Sequence, residues 1–345
     1  MSPHFPDGGT IRTVLTLASR APSVHNTQPW RWRVGASSLH LYSDTSRRLP
    51  HTDPDGRDLM LSCGAALNHC VVALAAIGWQ AKVSRLPDPA EPQHLAAIEL
   101  IPQLPDQLDI MLAAAMPRRR TDRRHYSFWP VAVGDLALMT ARAARLGVAL
   151  HRVEAMDMLN AVVLQSVSAH AADPDYLAEL TAWSGRHASV AGVPARNAPT
   201  PDPAAAIPSR RFAGAALAMP PDVHAEDDNG VVLALGTRND DRLAQLRAGE
   251  ATSFVLLTAT ALGLASCPVT EPLEIADTRA AVRADVFGDN SYPQMLIRVG
   301  WAPINADPLP ATPRRPLAET VEWLAEAEVQ QAMVDSFRRS GRMMS

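Results

Sequence analysis

The chain has 345 residues, 47% of them hydrophobic and 20% charged, the balance of a globular protein with one large core or two modest ones. Its formal net charge of -4 argues against a dedicated nucleic-acid binder, and no apolar run reads as long enough to span a membrane. Cys63, Cys70 and Cys267 are odd in number and form no CxxC pair, which argues against a disulfide framework and a structural zinc.

The polar stretch Met1–Thr10 lacks a signal-peptide apolar core, so a cytoplasmic location is expected. The first helix is predicted from Ile11 to Ser19, with Thr10 as N-cap and Pro22 beyond its end. A loop, Ala21–Trp30, leads into two short strands, Trp30–Val34 and Leu39–Tyr42, turned at Gly35. A long apolar helix is predicted over Asp58–Ile77, with Gly78 as its stop, and a strand over Ala96–Ile101.

A second series follows. Asp106–Met116 reads as a helix ended by Pro117, Leu136–Leu146 as another, and Val148–Val153 as a strand. Met156–Ala171 and Tyr176–Trp183 read as helical. From Ser184 to Asp228 no period holds, and seven prolines fall between Val193 and Pro221; a loop of this length is a candidate lid. Val231–Gly236 is a strand, and Asp240–Leu262 is helical with Gly249 as a candidate break. Met295–Val299 is the last strand predicted, and Leu317–Phe337 reads as an amphipathic helix.

The plan long apolar helix, glycine stop, loop, strand occurs twice, once through Gly78 and once through Gly263. It reads as a duplication of an α+β unit, with a first half over 1–105, a second over 106–325 and a tail over 326–345.

Two segments carry candidate chemistry. Pro22–Trp30 holds Ser23, Asn26 and Gln28 between two prolines that fix the backbone, a loop suited either to a rigid polar ligand or to bonds among its own side chains. Arg118–Arg124 packs five arginines into seven residues, an arrangement that repels itself unless an anion, carboxylates or solvent offsets it. A phosphate would accept forked hydrogen bonds there, helped by the Thr121 hydroxyl. A nucleic-acid patch is the weaker reading, since no aromatic residue interleaves the run. Lys82 is the sole lysine among 32 basic residues and lacks the context of a P-loop or Schiff base; no GxGxxG is present. His25 and His69 have no Ser–Asp context, and Cys63 and Cys70 stand too far apart on one helix for a metal site of their own.

Together these segments carry a resemblance. Ala21-Pro-Ser-Val-His-Asn-Thr-Gln-Pro-Trp30 resembles the APSxxNxQPW loop of the FMN-dependent nitroreductase superfamily, and Arg119-x-Thr121-x-Arg123 resembles its RxSxR motif. Gly263–Pro272 is similar to the segment that runs beside the flavin ring, and Arg314-Arg315 to a C-terminal arginine before proline. Family chains carry the arginine motif before the polar loop and form homodimers with one FMN at each of two shared sites. Here the order is reversed and each motif occurs once, as in the Acg-type branch.

The resemblance implies a nitroreductase-like three-layer α-β-α fold of the α+β class, with two repeats in one chain standing in for the homodimer. It implies one FMN, held by Ser23, Asn26 and Gln28 from the first half and by Arg119, Thr121, Arg123, Thr270, Glu271, Arg314 and Arg315 from the second. It implies NAD(P)H as a transient hydride donor, a nitroaromatic or quinone-like small-molecule acceptor, no protein acid or base, and no nucleic-acid or membrane partner. The expected state is a monomer built as a pseudo-dimer, or a weak homodimer. The competing implication is storage of FMN under a closed lid, with little or no turnover. Val24 replaces a hydroxyl usual in the family loop, and Thr312 stands where many members have a lysine.

Overall fold

The computed structural model describes residues 5–185, 189–220 and 223–324; the predicted tail helix over 326–345 lies outside them. The elements run α1 (Gly8–Ala18), β1 (Trp30–Val34), β2 (Ser38–Ser43), α2 (Arg57–Ala76), β3 (Trp79–Arg85), β4 (His94–Pro102), α3 (Gln107–Ala115), α4 (Val133–Ala144), β5 (Ala149–Arg152), α5 (Met156–Ala171), α6 (Pro174–Ala182), β6 (Val231–Thr237), α7 (Arg242–Ala261), β7 (Ala265–Val269), α8 (Ala276–Phe287), β8 (Tyr292–Gly300) and β9 (Val321–Trp323). One sheet has the order β3-β4-β2-β1-β9 and the other β5-β6-β8-β7. All pairings are antiparallel except β1 with β9.

The duplication is visible in this topology. Each half contributes strand, strand, long helix, strand, strand, and β3-β4-β2-β1 in one sheet repeats β7-β8-β6-β5 in the other. In each half a helix before the first strand, α1 or α4, packs on the long helix that follows. The two long helices cross at their glycines. A Cβ on Gly64 would stand 2.1 Å from the Leu246 carbonyl oxygen, and one on Gly249 would stand 2.1 Å from that of Leu61. Only a residue without a side chain allows that approach.

This corrects one expectation. Gly249 does not break α7, which runs unbroken from Arg242 to Ala261; the glycine is there for its missing side chain. A second correction concerns α2. Its twenty residues are long and apolar enough to cross a membrane, contrary to the first reading, but 83% of its most apolar window is buried inside the protein. Apolarity all round marks a core helix as well as a span. The helix predicted from Leu317 is a short 3-10 turn and then β9, whose main chain pairs with β1. Val321 and Trp323 are the residues of that strand facing the first core, so the period is 2 there and the tail of the second half completes the sheet of the first. Helix α8 gives little signal in the sequence because its apolar residues are mostly alanine and lie among charges; it buries Thr278, Val282 and Phe287.

The core has three large parts and a smaller one, in which Tyr176 and Leu180 of α6 pack on Val193, Ala198 and Phe212. In the first large part, α1, α2 and α3 pack on the first sheet, with Trp30 and Trp32 fully buried. In the second, α4 and α7 pack on the inner face of the second sheet through Leu233, Leu235 and Ile297. In the third, α5 and α8 cover the outer face through Val232, Ala234 and Leu296. Strand β6 is therefore buried on both faces, which is why its sequence is one apolar run.

The described residues of 184–228 form a strap, and among them no regular element is longer than three residues. Side chains hold it where its prolines cannot donate: Gln28 Nε2 donates to the Val190 carbonyl, Asn160 to that of Ala206, and Arg123 to that of Asn197.

Candidate functional site

A cavity of about 990 Å³, counting its space open to solvent, lies where the two halves meet. Its walls are the Pro22–His25 turn, the α2 stripe Asp58, Leu61, Ser62 and Ala65, then Thr121 and Arg123, and the run from Cys267 to Glu271; strap residues Ile207–Arg210 and Phe212 cover it. Asp58, Ser62 and Ala65 share the wall because residues three and four apart share a helix face.

The Ala21–Trp30 loop is built from left-handed backbone. His25, Asn26 and Gln28 have φ of 43°, 55° and 54°, a region where asparagine and histidine are enriched among side chains other than glycine. Its own bonds fix it: Ser23 Oγ accepts from the Gln28 N–H, and the Val24 N–H donates to Ser62 Oγ on α2. Asn26 Nδ2 donates to the carbonyls of Gly192 and Pro313, and Gln28 Oε1 accepts from the Arg315 N–H. Of the loop residues singled out from sequence, Ser23 lines the cavity, while Asn26 and Gln28 bind the strap and the chain near 313–315 to the loop.

The arginines divide in the same way. Thr121, Arg123, Thr270 and Glu271 line the cavity. Arg123 also lies over the Phe212 ring at 4.9 Å. Arg119 is buried behind Thr121, with its Nη1 3.5 Å from the hydroxyl and its Nε without an acceptor. Arg314 spends its guanidinium on the carbonyls of Ser19, Arg20, Ala21, Thr312 and Pro313, closing the end of α1. Arg315 reaches Glu319 at 3.2 Å.

Burial and then the positive charges of Arg120, Arg20 and Arg123 bring Arg119 down to about 10. Burial and then Arg119, Arg20 and Arg120 bring Arg314 down to about 9. The principal charges acting on both are positive. Beside them His69 is fully buried, its Nδ1 against the Ala65 carbonyl and Ser253 Oγ, its Nε2 without a partner. Burial and Arg119 hold it down to about 3. His69 Nδ1 must donate to the Ala65 carbonyl, so Nε2 is an acceptor; the open donor here is Arg119 Nε, and two buried cations with no carboxylate beside them among the described residues are matched by a polyvalent anion.

At the other end Arg210 of the strap is buried among Glu274, Thr270, Tyr176 and His25. His170 stacks on Tyr176 with ring centroids 3.8 Å apart and reaches Glu271 at 3.4 Å. Arg210 can only donate, so His25 Nε2 must accept from it and the neutral ring carries its proton on Nδ1. Burial, then Arg210, Arg123 and His170, hold that ring neutral. His25 Nδ1–H is buried in the cavity wall with no acceptor. The open His25 donor and Arg123 in the cavity wall, with Arg119 behind Thr121, fit a flavin mononucleotide, whose ring has acceptors and whose phosphate is anionic.

Sequence reading missed Arg210, Phe212, Tyr176 and Asp58. Arg210 and Phe212 sit in the stretch without period, and Asp58 reads as an ordinary acid in the first turn of a helix. Only His25 carried a signal, and it was set aside for want of a Ser–Asp context.

The pseudo-equivalent position in the other half is plugged. Glu250 follows Gly249 as Ala65 follows Gly64, and Arg85 follows Gly78 at the interval that separates Thr270 from Gly263. Where Ala65 and Thr270 line the cavity, Arg85 and a buried Glu250 make a bidentate pair at 2.6 and 2.7 Å.

No family model matches the chain. It is 66% identical over 326 residues to "Putative NAD(P)H nitroreductase Rv3131" of Mycobacterium tuberculosis, covering 94% of this chain and 95% of that one. It is 37% identical over 314 residues to "Putative NAD(P)H nitroreductase acg" of the same organism, covering 90% and 94%. Among solved structures, the FMN-dependent nitroreductase NfnB from Mycobacterium smegmatis in complex with NADPH is 20% identical, covers 62% of this chain and 99% of its own, and has a TM-score of 0.37.

Proposed function

This chain belongs to the nitroreductase family, in the branch that includes Acg, and from that premise we propose that it is an FMN-dependent oxidoreductase taking reducing equivalents from NAD(P)H. The observation that carries the reading is the cavity between the halves, walled by Thr121 and Arg123, with Arg119 buried behind Thr121 and the open His25 donor in the same wall. FMN, when bound, supplies the hydride chemistry of its ring; the protein supplies orientation, electrostatics and access.

Arg119, Thr121 and Arg123 would hold the phosphate and the chain next to it, with Arg314 adding positive charge. Ser23, Thr270 and Glu271 would border the ring, and His25 Nδ1 would donate to it. Asn26, Gln28 and Arg315 would act by holding loop, strap and arm in register. The acceptor is a small planar nitroaromatic or quinone, and the Arg85–Glu250 plug limits the chain to one flavin. Each chain is then a complete unit, a monomer built as a pseudo-dimer, working in the cytoplasm where NAD(P)H is available.

A second reading, storage of the cofactor, is favoured by the strap, whose Arg210 lines the cavity and is buried against Glu274 of the body. One experiment separates the two. The purified protein should be yellow, with one FMN per chain, and anaerobic NADPH should bleach it. A flavin that photoreduces but is not bleached by NADH or NADPH leaves storage as the function; a colourless protein that FMN does not colour removes both readings.

A further inference from the structure

The cavity shares a wall with a second hollow. A groove of about 720 Å³ on the far side is lined by Thr52, Asp53, Arg57, Glu274, Arg279 and Arg283 among others. Asp53, Arg57 and Glu274 face the groove, and Asp58 and Glu271 face the cavity. Asp58 is 2% exposed, and neither of its carboxyl oxygens has a hydrogen-bond partner. Arg57 Nη2 stands 2.5 Å from Oδ1 as a charge contact, while Arg57 donates to the carbonyls of Gln294 and Leu273. Asp53 is committed elsewhere, accepting the N–H groups of Asp58 and Leu59 at the start of α2. Glu274 reaches both hollows: it borders the groove, its Oε1 accepts from Thr270 and from Arg210 in the cavity wall, and its Oε2 has no hydrogen-bond partner, with His170 Nε2 3.9 Å away.

A buried carboxyl with one charge contact and no hydrogen bond is costly as an anion, and the groups facing it decide how costly. Burial pushes Asp58 up to about 7; Arg57 and Arg210 oppose that push, and Asp53 and Glu274 add to it. The acid opens on the cavity where the reaction would run.

We propose that Asp58 is the proton donor of this cavity, delivering its carboxyl proton to the oxygen of the acceptor and recovering one from the groove through Glu274. The inference rests on the oxidoreductase reading. A quinone, NADPH and one proton give a hydroquinone and NADP+: the hydride carries two electrons and one proton, so a second proton must come from elsewhere. The Asp58 O–H bond breaks as the acceptor O–H bond forms, and the carboxylate left behind is reprotonated from the side open to water.

The test uses the flavin-loaded full chain, photoreduced without oxygen and mixed with p-benzoquinone, so that no nicotinamide step enters. Reoxidation should slow by about 100-fold in Asp58→Asn, the share usual for a general acid, and lose its dependence on pH near neutrality. Asp58→Glu should restore most of the rate, and Glu274→Gln should slow recovery over repeated turnovers more than the first. Independently of activity, infrared difference spectra between pH 5 and 9 should show a protonated-carboxyl band that titrates near neutral and is missing in Asp58→Asn. Equal reoxidation in wild type and Asp58→Asn, or a titrating band that survives the substitution, overturns the inference while leaving the oxidoreductase reading intact. A chain that takes up no flavin overturns both.

Discussion

Gly64 and Gly249 face each other's helix in the same way: each lies against the carbonyl three residues before the other, Leu246 for Gly64 and Leu61 for Gly249. The contact is reciprocal, as an isologous interface would be, although one chain supplies both sides. It sets how close α2 and α7 come, and both helices line the cavity.

Either glycine replaced by alanine should therefore cost about 3 kcal/mol or more, since the methyl meets main chain that cannot yield. Chemical denaturation should show it. Gly134, at the start of α4 with nothing within 4 Å, is the control: Gly134→Ala should be neutral or stabilising by about 0.5–1 kcal/mol. Equal losses at all three sites would discredit the close-packing account.

Arg119 tests the anion end. Arg119→Met removes one of several mutually repelling buried cations, so the flavin-free protein should keep its stability or gain some. FMN should bind about 100-fold more weakly, the loss of one or two charge-assisted hydrogen bonds. Phosphate or sulfate should raise the melting temperature of the flavin-free wild type more than chloride at equal ionic strength, and should do so less in the variant.

His125 ties the strap to the body. Its Nε2 lies 3.0 Å from Asp202 and its Nδ1 3.4 Å from Asp228, which also pairs with Arg298. Hydrogen bonding to Asp228 raises the imidazolium above its ordinary 6.5; burial opposes this, and Asp202 reinforces it. A raised histidine contributes its stability fully below 6.5 and loses it as the pH climbs through the higher folded value. Proteolytic nicking of the strap should thus accelerate with pH above neutrality in the wild type, and His125→Ala should abolish that trend. The Asp228 carboxyl is held below its ordinary value against burial, by its bonds to His125 and by Arg298, and so adds a loss only in acid.

The plugged site makes its own forecast. Arg85→Ala leaves the Glu250 carboxylate buried without its partner and should destabilise the protein by about 3 kcal/mol at pH 7. The deficit should shrink as the pH falls, because a neutral acid needs no cation, and Arg85→Ala combined with Glu250→Ala should recover much of it. Unfolding curves at pH 5 and 7.5 for the single and double variants decide the matter.

Much of the frame was legible along the chain. The long helices, their glycine stops, most of the strands and the repeat follow from periodicity and from the special conformations of glycine and proline, which depend on neighbours a few residues away. The polar loop and the arginine run stood out for the same local reason. The errors came where distant contacts rule. Gly249 looks like a helix breaker until a carbonyl of α2 is found where its side chain would be, and 317–324 looks helical until β1 supplies hydrogen bonds to β9.

What the tertiary structure alone decided is which charges meet. Sequence supplied Asp58, Arg210, Glu250 and Arg85 as ordinary surface types. Folding removed water from them and set each beside partners far off in the chain, and the cost of an uncompensated buried charge gives those positions their meaning. Local pattern fixes which elements form; desolvation, which no local pattern encodes, makes one of two equivalent crevices a cavity and the other a plug.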